Sequence, residues 1–238
     1  MFIQTVPTAD HCSKLDFNGK TAVVIDVLRA SSVIITALAN GAENVLPTSS
    51  MAEAFKLYRK LGIEAILGGE RNAEIIEGFH YGNSPLQYTP EVVGSKQLIL
   101  NTTNGTRAIK LSSKADKLVI AALINLDAII NFLLKKNNDL VLVCSGTNGN
   151  FSLDDALCAG LIADQIFTET KSDCCDLTHL LINYVRQSGS IQHKLQNCFH
   201  LKYLMSIGYA KDVEYCLKLN VFDMVPHFDG YGIVGTSP

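Results

Sequence analysis

The alternation of short apolar runs with helical patterns is the feature of this sequence that most limits its fold. The first pair is TAVVID, residues 21 to 26, followed by SSVIITALANGA, residues 31 to 42. The apolar run contains no polar alternation, so it predicts a strand that is covered on both faces, as in a parallel sheet. Repetition of a strand followed by a helix indicates an α/β fold.

Further strand-like runs continue this pattern as far as residue 144: ENVLP, EAILGG, KQLILN, KLVIAAL and DLVLVC. From Lys171 to Asn220 the pattern is almost wholly helical, and the tail after it has the Pro and Gly residues of a final strand or extended arm. The sequence predicts a mostly parallel, possibly mixed sheet, flanked by helices in three layers, with a helix-rich C-terminal third. We expect one α/β domain over residues 1–238, with a possible division near residue 150.

The net charge and the cysteines indicate which binding partners and which cellular compartment to expect. The net charge is −3 and no long run has one sign, so we expect neither nucleic acid nor membrane as a partner. The longest apolar runs are shorter than the roughly 20 residues that span a bilayer, and the N-terminus does not resemble a signal peptide. The 7 cysteines form no C-x-x-C pair, which predicts free thiols and a cytoplasmic location.

A Thr-Asn-Gly turn occurs twice, each time directly after a strand-like run. The two segments are NTTNGTRAI, residues 101 to 109, and SGTNGNFSL, residues 145 to 153. Two further polar loops, DVLRASS and GGERN, follow other strands. The carboxyl ends of parallel strands meet at one sheet edge, where the N-termini of the following helices favour anions. These loops therefore predict one shared site for a small anion.

The distribution of arginine supports an anionic ligand. The chain has five Arg and fifteen Lys, yet Arg29, Arg71 and Arg107 all fall in these loops. A guanidinium group can bind carboxylate, phosphate or sulfonate through two parallel hydrogen bonds. The alternative is that each Arg pairs with a structural carboxylate, such as Glu70 beside Arg71.

Carboxylates at the same edge indicate a metal ion. Asp26 closes an apolar strand, Glu70 follows a Gly-Gly pair, and Asp154 and Asp155 open a predicted helix. Oxygen ligands without a His or Cys cluster favour Mg²⁺. For Asp154 and Asp155 the alternative is a structural role, because acids in a first turn suit the helix dipole.

Four ordered motifs in this chain resemble the 2-phosphosulfolactate phosphatase family: VVIDVLRASS, GGERN followed by GFHYGNSPLQY, LNTTNGTRAI, and CSGTNGNFSLDDALCAG. The resemblance covers about residues 1 to 235. It implies an α/β fold and a Mg²⁺-dependent acid phosphatase. The implied reaction converts (2R)-2-phospho-3-sulfolactate to 3-sulfolactate and inorganic phosphate, a step in coenzyme M biosynthesis.

The resemblance also implies an active site, whose residues we assign to three roles by their chemistry. The predicted catalytic residues are Asp26, Arg29, Arg71 and Arg107. The predicted substrate-binding residues are Ser31, Asn83, Ser84, Thr103, Asn104, Gly105 and Thr106. The predicted metal ligands are Asp26 with Glu70 or Asp155. Two roles for Asp26 stay open: it attacks phosphorus directly, or it holds the metal that activates water.

Three other functions fit the same residues. The chain could hydrolyse another small phosphorylated hydroxy acid, because fold and site do not fix the substrate. It could bind an anion without hydrolysis, or act as a lyase or isomerase in which carboxylates serve as bases.

The apolar helical C-terminal third could cover the sheet or form a homodimer interface.

Overall fold

A computed structural model describes residues 1–236, so the predicted domain extends beyond the described range at residues 237 and 238. The strands in that range are β1 Phe2–Val6, β2 Lys20–Ile25, β3 Asn44–Pro47, β4 Ala65–Arg71, β5 Glu74–Ile75, β6 Gln97–Asn101, β7 Lys117–Ala121, β8 Asp139–Cys144, β9 Asp173–Cys174, β10 Val225–Phe228 and β11 Ile233–Thr236. The α-helices are α1 Ala30–Ala39, α2 Met51–Leu61, α3 Pro90–Val93, α4 Gly105–Ser112, α5 Leu126–Lys136, α6 Leu153–Thr170, α7 Asp176–Arg186, α8 Ile191–Leu195, α9 Phe199–Ser206 and α10 Ala210–Cys216.

One mixed sheet joins these strands in the order β5-β4-β6-β3-β11-β10-β7-β2-β8-β1-β9. The five strands from β7 to β9 in that order pair in parallel, and so do β3, β6 and β4. The antiparallel hairpin of β10 and β11 lies between these two groups and pairs with β7 and β3. The prediction of a mostly parallel, mixed sheet is confirmed, and the predicted final strand is this hairpin.

Alternate residues of the strands face two helical layers. In β2, Val23 and Ile25 pack in one core cluster with residues of α5 and α6. Ala22 and Val24 pack in a second cluster with residues of α1 and α4. Both faces of the strand are apolar because both are covered, which explains the continuous apolar run in the sequence.

Helix α1 is buried along nearly its whole length, from Ala30 to Leu38. Its two serines bond to the strand end before it: Ser31 Oγ accepts from the Asp26 N–H at 2.9 Å, and Ser32 Oγ donates to Val27 O at 2.8 Å. The helix contacts β3, β7, β10 and β11. Four strands separate β2 from β6 in the sheet, yet Gly105, after β6, packs against Asp26 and Ala30, after β2.

The N-terminal strand was not predicted. β1 pairs in parallel with both β8 and β9, so the sheet draws strands from both sides of residue 150. Within residues 1–236, no helix is both long enough and apolar enough to cross a membrane.

Candidate active site

A cavity of about 250 Å³ opens at the carboxyl ends of β2, β4 and β6. It contains about half of the residues that the sequence predicted for the site. The predicted residues on its wall are Asp26, Arg29, Glu70, Asn83, Thr103 and Asn104. The structure therefore brings together residues from four separate segments of the chain.

Asp26 lies on the cavity wall with only 7% of its surface exposed. Its Oδ1 accepts from the Ala30 N–H at 3.0 Å, at the start of α1. Within residues 1–236 its Oδ2 has no protein donor. Burial raises the pKa of Asp26 to about 7, and the charges of Asp154 and Glu70 add to this, against the Ala30 hydrogen bond and the Arg29 charge.

Glu70 holds the first Thr-Asn-Gly turn in place. Its carboxylate accepts from the Thr103 N–H at 2.8 Å, from Thr103 Oγ at 3.3 Å and from the Ala73 N–H at 3.1 Å. These bonds link the end of β4 to the loop between β6 and α4. Glu70 thus fixes one wall of the cavity while its side chain still faces it.

The same turn leaves only part of its backbone free for a ligand. Thr102 and Thr106 bond to each other, since each backbone N–H donates to the other residue's hydroxyl, at 3.2 and 3.1 Å. Within residues 1–236, the N–H groups of Asn104 and Gly105 have no protein acceptor. The backbone donors that this turn can offer to a ligand are therefore these two groups at the N-terminus of α4.

The two Thr-Asn-Gly turns contact each other directly. The Asn148 N–H of the second turn donates to Asn104 Oδ1 of the first at 3.2 Å. Thr147 and Asn148 also line the cavity. The repeated turn therefore forms two adjacent sides of one site.

Arg29 is 2% exposed and is bound by the C-terminal part of the chain. Its Nη1 lies 2.6 Å from Asp212 Oδ2, and its guanidinium carbon lies 3.9 Å from the centre of the Tyr209 ring. Ser84 Oγ donates to the other Asp212 oxygen at 2.8 Å. Ser84 therefore supports this ion pair and is not itself part of the cavity wall.

Asn83 has no hydrogen-bond partner for its amide oxygen within the described part of the chain, although this oxygen is buried. The residue is 7% exposed and lines the cavity. A buried amide without a partner is costly unless a ligand or water supplies one. The amide oxygen can only accept a hydrogen bond, so a water or another donor would pair with it, whereas the amide N–H groups can donate to a ligand in the cavity.

Arg71 and Arg107 do not line the cavity. Arg71 donates to Glu70 O at 2.7 Å and also to Asn101 Oδ1. Arg107 is half exposed and pairs with Asp10 on the protein surface. The alternative of pairing with a structural carboxylate thus describes Arg107, whereas Arg71 bonds to a backbone carbonyl and an amide oxygen. Arg29 also pairs with a carboxylate, that of Asp212, but it lines the cavity.

Asp155 also lies outside the cavity wall. Its two oxygens accept from the Val27 N–H at 2.9 Å and from the Gly146 N–H at 3.0 Å, so it ties the loop after β2 to the second turn. Burial raises the pKa of Asp155 well above its ordinary value, and the charges of Asp154 and Asp26 raise it further. Asp154 accepts from Ser152 Oγ beside it.

The remaining predicted residues lie outside the cavity wall and contact residues that form it or lie next to it. Ser31 bonds to the backbone of Asp26, and Thr106 bonds to Thr102. Gly105 packs against Asp26 so closely that a Cβ atom on it would lie 2.7 Å from Asp26 Oδ2.

Sequence reasoning missed one side of the cavity, which α9 supplies. The residues of this side are Phe199, His200, Tyr203 and Leu204. His200 Nε2 lies 2.8 Å from Leu28 O, which fixes α9 to the loop after β2. The spacing of His200 and Tyr203 on one helix face was a signal for contact, but no pattern in the sequence shows which loop that face meets.

The carboxylates of the cavity fit a magnesium ion. Within residues 1–236, no group of three or more His, Cys, Asp or Glu side chains is arranged to hold a metal. Mg²⁺ needs only one or two protein carboxylates, because water and substrate oxygens complete its coordination. Asp26 offers an oxygen without a protein donor, and Glu70 faces the same cavity.

Comparisons with known proteins identify similar chains. The family model described as 2-phosphosulpholactate phosphatase matches residues 6–230. A probable 2-phosphosulfolactate phosphatase of Caldanaerobacter subterraneus subsp. tengcongensis is 41% identical over 239 residues, which cover 100% of this chain and 99% of that protein.

Two clostridial relatives are also described as probable 2-phosphosulfolactate phosphatases. That of Clostridium perfringens strain 13 is 41% identical, with 96% of this chain and 94% of the relative covered. That of Clostridium acetobutylicum is also 41% identical, with 96% and 97% covered. The similarity therefore extends over nearly the full length of each protein.

Proposed function

This chain belongs to the 2-phosphosulfolactate phosphatase family, and from that premise we propose that it hydrolyses (2R)-2-phospho-3-sulfolactate to 3-sulfolactate and inorganic phosphate. The observation that carries the proposal is the position of Asp26. Its buried carboxyl has a free oxygen in the cavity and lies beside the N-terminus of α4. Such a junction of acid and helix N-terminus suits a phosphate that is bound together with a cation.

The substrate has three acidic groups, which match different parts of the cavity. In this proposal, the free N–H groups of Asn104 and Gly105 hold oxygens of the reacting phosphate. Arg29 binds the carboxylate or sulfonate, because it is the one predicted Arg that lines the cavity. Asn83 lines the same cavity, and the N–H groups of its amide can donate a further hydrogen bond to an oxygen of the ligand.

The reaction forms one bond to phosphorus and breaks another. The oxygen of a water molecule bonds to phosphorus, and the ester bond between phosphorus and the hydroxy-acid oxygen breaks. Its electron pair stays on the hydroxy-acid oxygen, which takes up a proton to replace the one that the water gives up, so that the products are the hydroxy acid and inorganic phosphate. The walls formed by α9 and by the two turns orient the ester for this displacement.

We include Mg²⁺ in the proposal, held by Asp26 with Glu70 as the second carboxylate. When bound, it would neutralise the charge of the phosphoryl oxygens. Asp155 does not line the cavity, so we do not place it in this metal site. The role in coenzyme M biosynthesis, the cytoplasmic location and a homodimer stay predictions.

The test is release of phosphate from 2-phosphosulfolactate, phospholactate, phosphoglycolate and an aryl phosphate, each with Mg²⁺ and with EDTA. We expect release that depends on Mg²⁺ and is fastest for 2-phosphosulfolactate. Asp26→Asn keeps the size of the side chain, and we expect it to lose at least about 10³-fold in kcat, since the residue acts at the reacting phosphate. Asp164→Asn, in the ion pair of Asp164 with Arg186, is the control.

Three outcomes would change the proposal. Fastest release from another ester keeps a phosphatase and rejects the substrate. Undiminished turnover by Asp26→Asn rejects the assignment of that residue. Binding of 3-sulfolactate without release of phosphate from any ester would favour the anion-binding module.

A further inference from the structure

We infer that Asp212 is a positioning residue, which holds Arg29 as a rigid binding group for the non-reacting acid group of the substrate. This inference rests on the proposed function and deepens it, because it identifies what recognises the second acid of a phosphorylated small acid. Asp212 lies in α10, far from the motifs at the strand ends, and 183 residues separate it from Arg29.

The first argument is the burial of the pair. The side chains of Arg29 and Asp212 are 2% and 6% exposed, and their atoms Nη1 and Oδ2 lie 2.6 Å apart. A buried guanidinium group without a counterion is strongly unfavourable, so Arg29 needs an acid at this place. The cavity carboxylates do not form this bond, and Asp212 does.

The second argument is that two contacts fix the orientation of Arg29. Asp212 binds one end of the guanidinium group, and the Tyr209 ring lies under it at 3.9 Å. Ser84 Oγ donates to Asp212 at 2.8 Å, and Tyr209 Oη donates to Ala73 O at 3.0 Å. Each partner of Arg29 is thus itself held, which limits the rotamers available to the arginine.

The third argument is the donor count. A guanidinium group has five N–H donors, and Asp212 takes one of them. Within residues 1–236 the side chain has no second protein acceptor. Since Arg29 lines the cavity, the unused donors are available for the two oxygens of a carboxylate or sulfonate.

The opposite charges of Arg29 and Asp212 determine how the cavity recognises a ligand. Asp212 offsets the positive charge of Arg29, so the cavity does not attract every anion through net charge. Binding depends instead on hydrogen bonds from a guanidinium group in a fixed orientation. The pair therefore selects substrates with a second acid group at the correct distance from the phosphate.

The experiment compares Asp212→Asn with the wild-type protein in the presence of Mg²⁺. One substrate is 2-phosphosulfolactate, and the other is an aryl phosphate, which lacks a second acid group. We expect KM for 2-phosphosulfolactate to rise by about tenfold or more, as for loss of a charge-assisted hydrogen bond, with a smaller change in kcat. KM for the aryl phosphate should change little.

A double-mutant cycle tests whether Asp212 acts through Arg29. In the Arg29→Met background, Asp212→Asn should no longer change KM for 2-phosphosulfolactate. The surface pair of Arg186 and Asp164 is a matched control, since its atoms lie 2.7 Å apart and its guanidinium group also lies over a ring, that of Phe167. Asp164→Asn should leave KM for both substrates unchanged.

Binding of 3-sulfolactate, measured by calorimetry, separates this inference from the proposed function. If no ester is hydrolysed, the proposed function fails, yet Asp212→Asn should still weaken 3-sulfolactate binding. If Asp212→Asn does not fold, Ser84→Ala is the second variant, and we expect it to raise KM in the same direction by a smaller factor. Unchanged KM and binding in the folded variant, or an equal effect in the Arg29→Met background, would overturn the inference.

Discussion

On the cavity wall, burial and neighbouring charges both act on the pKa of the Asp26 carboxyl group. Burial raises its pKa to about 7, and the negative charges of Asp154 and Glu70 raise it as well. A carboxyl group with a raised pKa binds its proton more tightly in the folded protein than in the unfolded chain. Without a metal ion, its ionisation therefore lowers the stability of the fold.

The stability of the metal-free protein should depend on Asp26 in one pH range. Between the ordinary value of 3.8 and about 7, the folded state binds more protons, so the free energy of unfolding falls as pH rises. Asp26→Asn removes this titration while it keeps the acceptor for the Ala30 N–H. We expect the variant to melt above the wild-type protein at pH 8 in EDTA, with a smaller difference at pH 5.

The measurement is thermal unfolding of both proteins at each pH. Asp155 has a pKa shifted in the same direction, so only the difference between variant and wild type reports on Asp26. A difference that is equal at both pH values would show that the Asp26 carboxyl does not have a raised pKa.

Single residues differ in how well the sequence reveals their place. Asp26 could be predicted, because an acid at the end of an apolar strand needs a partner. Arg71 and Arg107 lie in the same kind of loop, but their bonds to Asn101 and Asp10 depend on local rotamers that no pattern shows. No sequence pattern pointed to Asp212, because its partner Arg29 is remote from it in the chain.

The junction of α1 and α4 is the element contact on which the position of Asp26 depends. A Cβ atom on Gly105 would lie 2.5 Å from Ala30 Cβ and 2.7 Å from Asp26 Oδ2. Real Cβ atoms do not approach so closely, so a side chain here must push α4 away from the end of β2.

Gly105→Ala should therefore lower both stability and activity. We expect a loss of about 1–3 kcal/mol in the free energy of unfolding, as for other overpacked sites. We also expect lower kcat/KM for the folded fraction. Gly160→Ala is the matched control, because its Cβ would lie 2.8 Å from Val185 Cγ1 within the core. A Gly105→Ala protein with normal activity would show that the contact does not position Asp26.

The link between the end of β4 and the first Thr-Asn-Gly turn depends on Glu70. Glu70→Gln replaces one carboxylate oxygen with an NH₂ group, which cannot accept from the backbone N–H groups of Thr103 and Ala73. We expect a loss of about 1–3 kcal/mol in stability from the unpaired donor. We also expect lower activity, because the turn moves.

The control for this variant is Glu53→Gln. Glu53 also accepts a backbone N–H, that of Ser49 at 2.7 Å, but its side chain is exposed at the start of α2. Chemical denaturation and kcat/KM, measured on both variants, show whether loss of the Glu70 carboxylate costs more than loss of an exposed carboxylate that also accepts a backbone N–H. Equal effects of the two changes would contradict a special role of Glu70 in the cavity.

At the level of elements, the sequence predicted most strands and helices but not their neighbours in space. The strand-to-helix alternation identified β2, β6 and β8 with the helices that follow them. It could not show that α9 closes one side of the cavity, since a helix pattern gives the apolar face but not the surface that it covers.

The sheet as a whole explains why the site forms from loops that are distant in the strand order. The hairpin of β10 and β11 joins two groups of parallel strands, and α1 packs against strands of both groups and of the hairpin. The loops after β2 and β6 meet at the start of α1, where Gly105 packs against Asp26 and Ala30. Apolar periodicity predicts strands and layers, but it does not reveal the order of the strands in the sheet.

The central claim, that this protein hydrolyses a phosphate ester at phosphorus, is tested most directly by phosphorus NMR of its products in water enriched in ¹⁸O. With 2-phosphosulfolactate and Mg²⁺, we predict that one ¹⁸O atom appears in inorganic phosphate and none in 3-sulfolactate. Absence of inorganic phosphate, or ¹⁸O in the hydroxyl group of 3-sulfolactate, would contradict the claim.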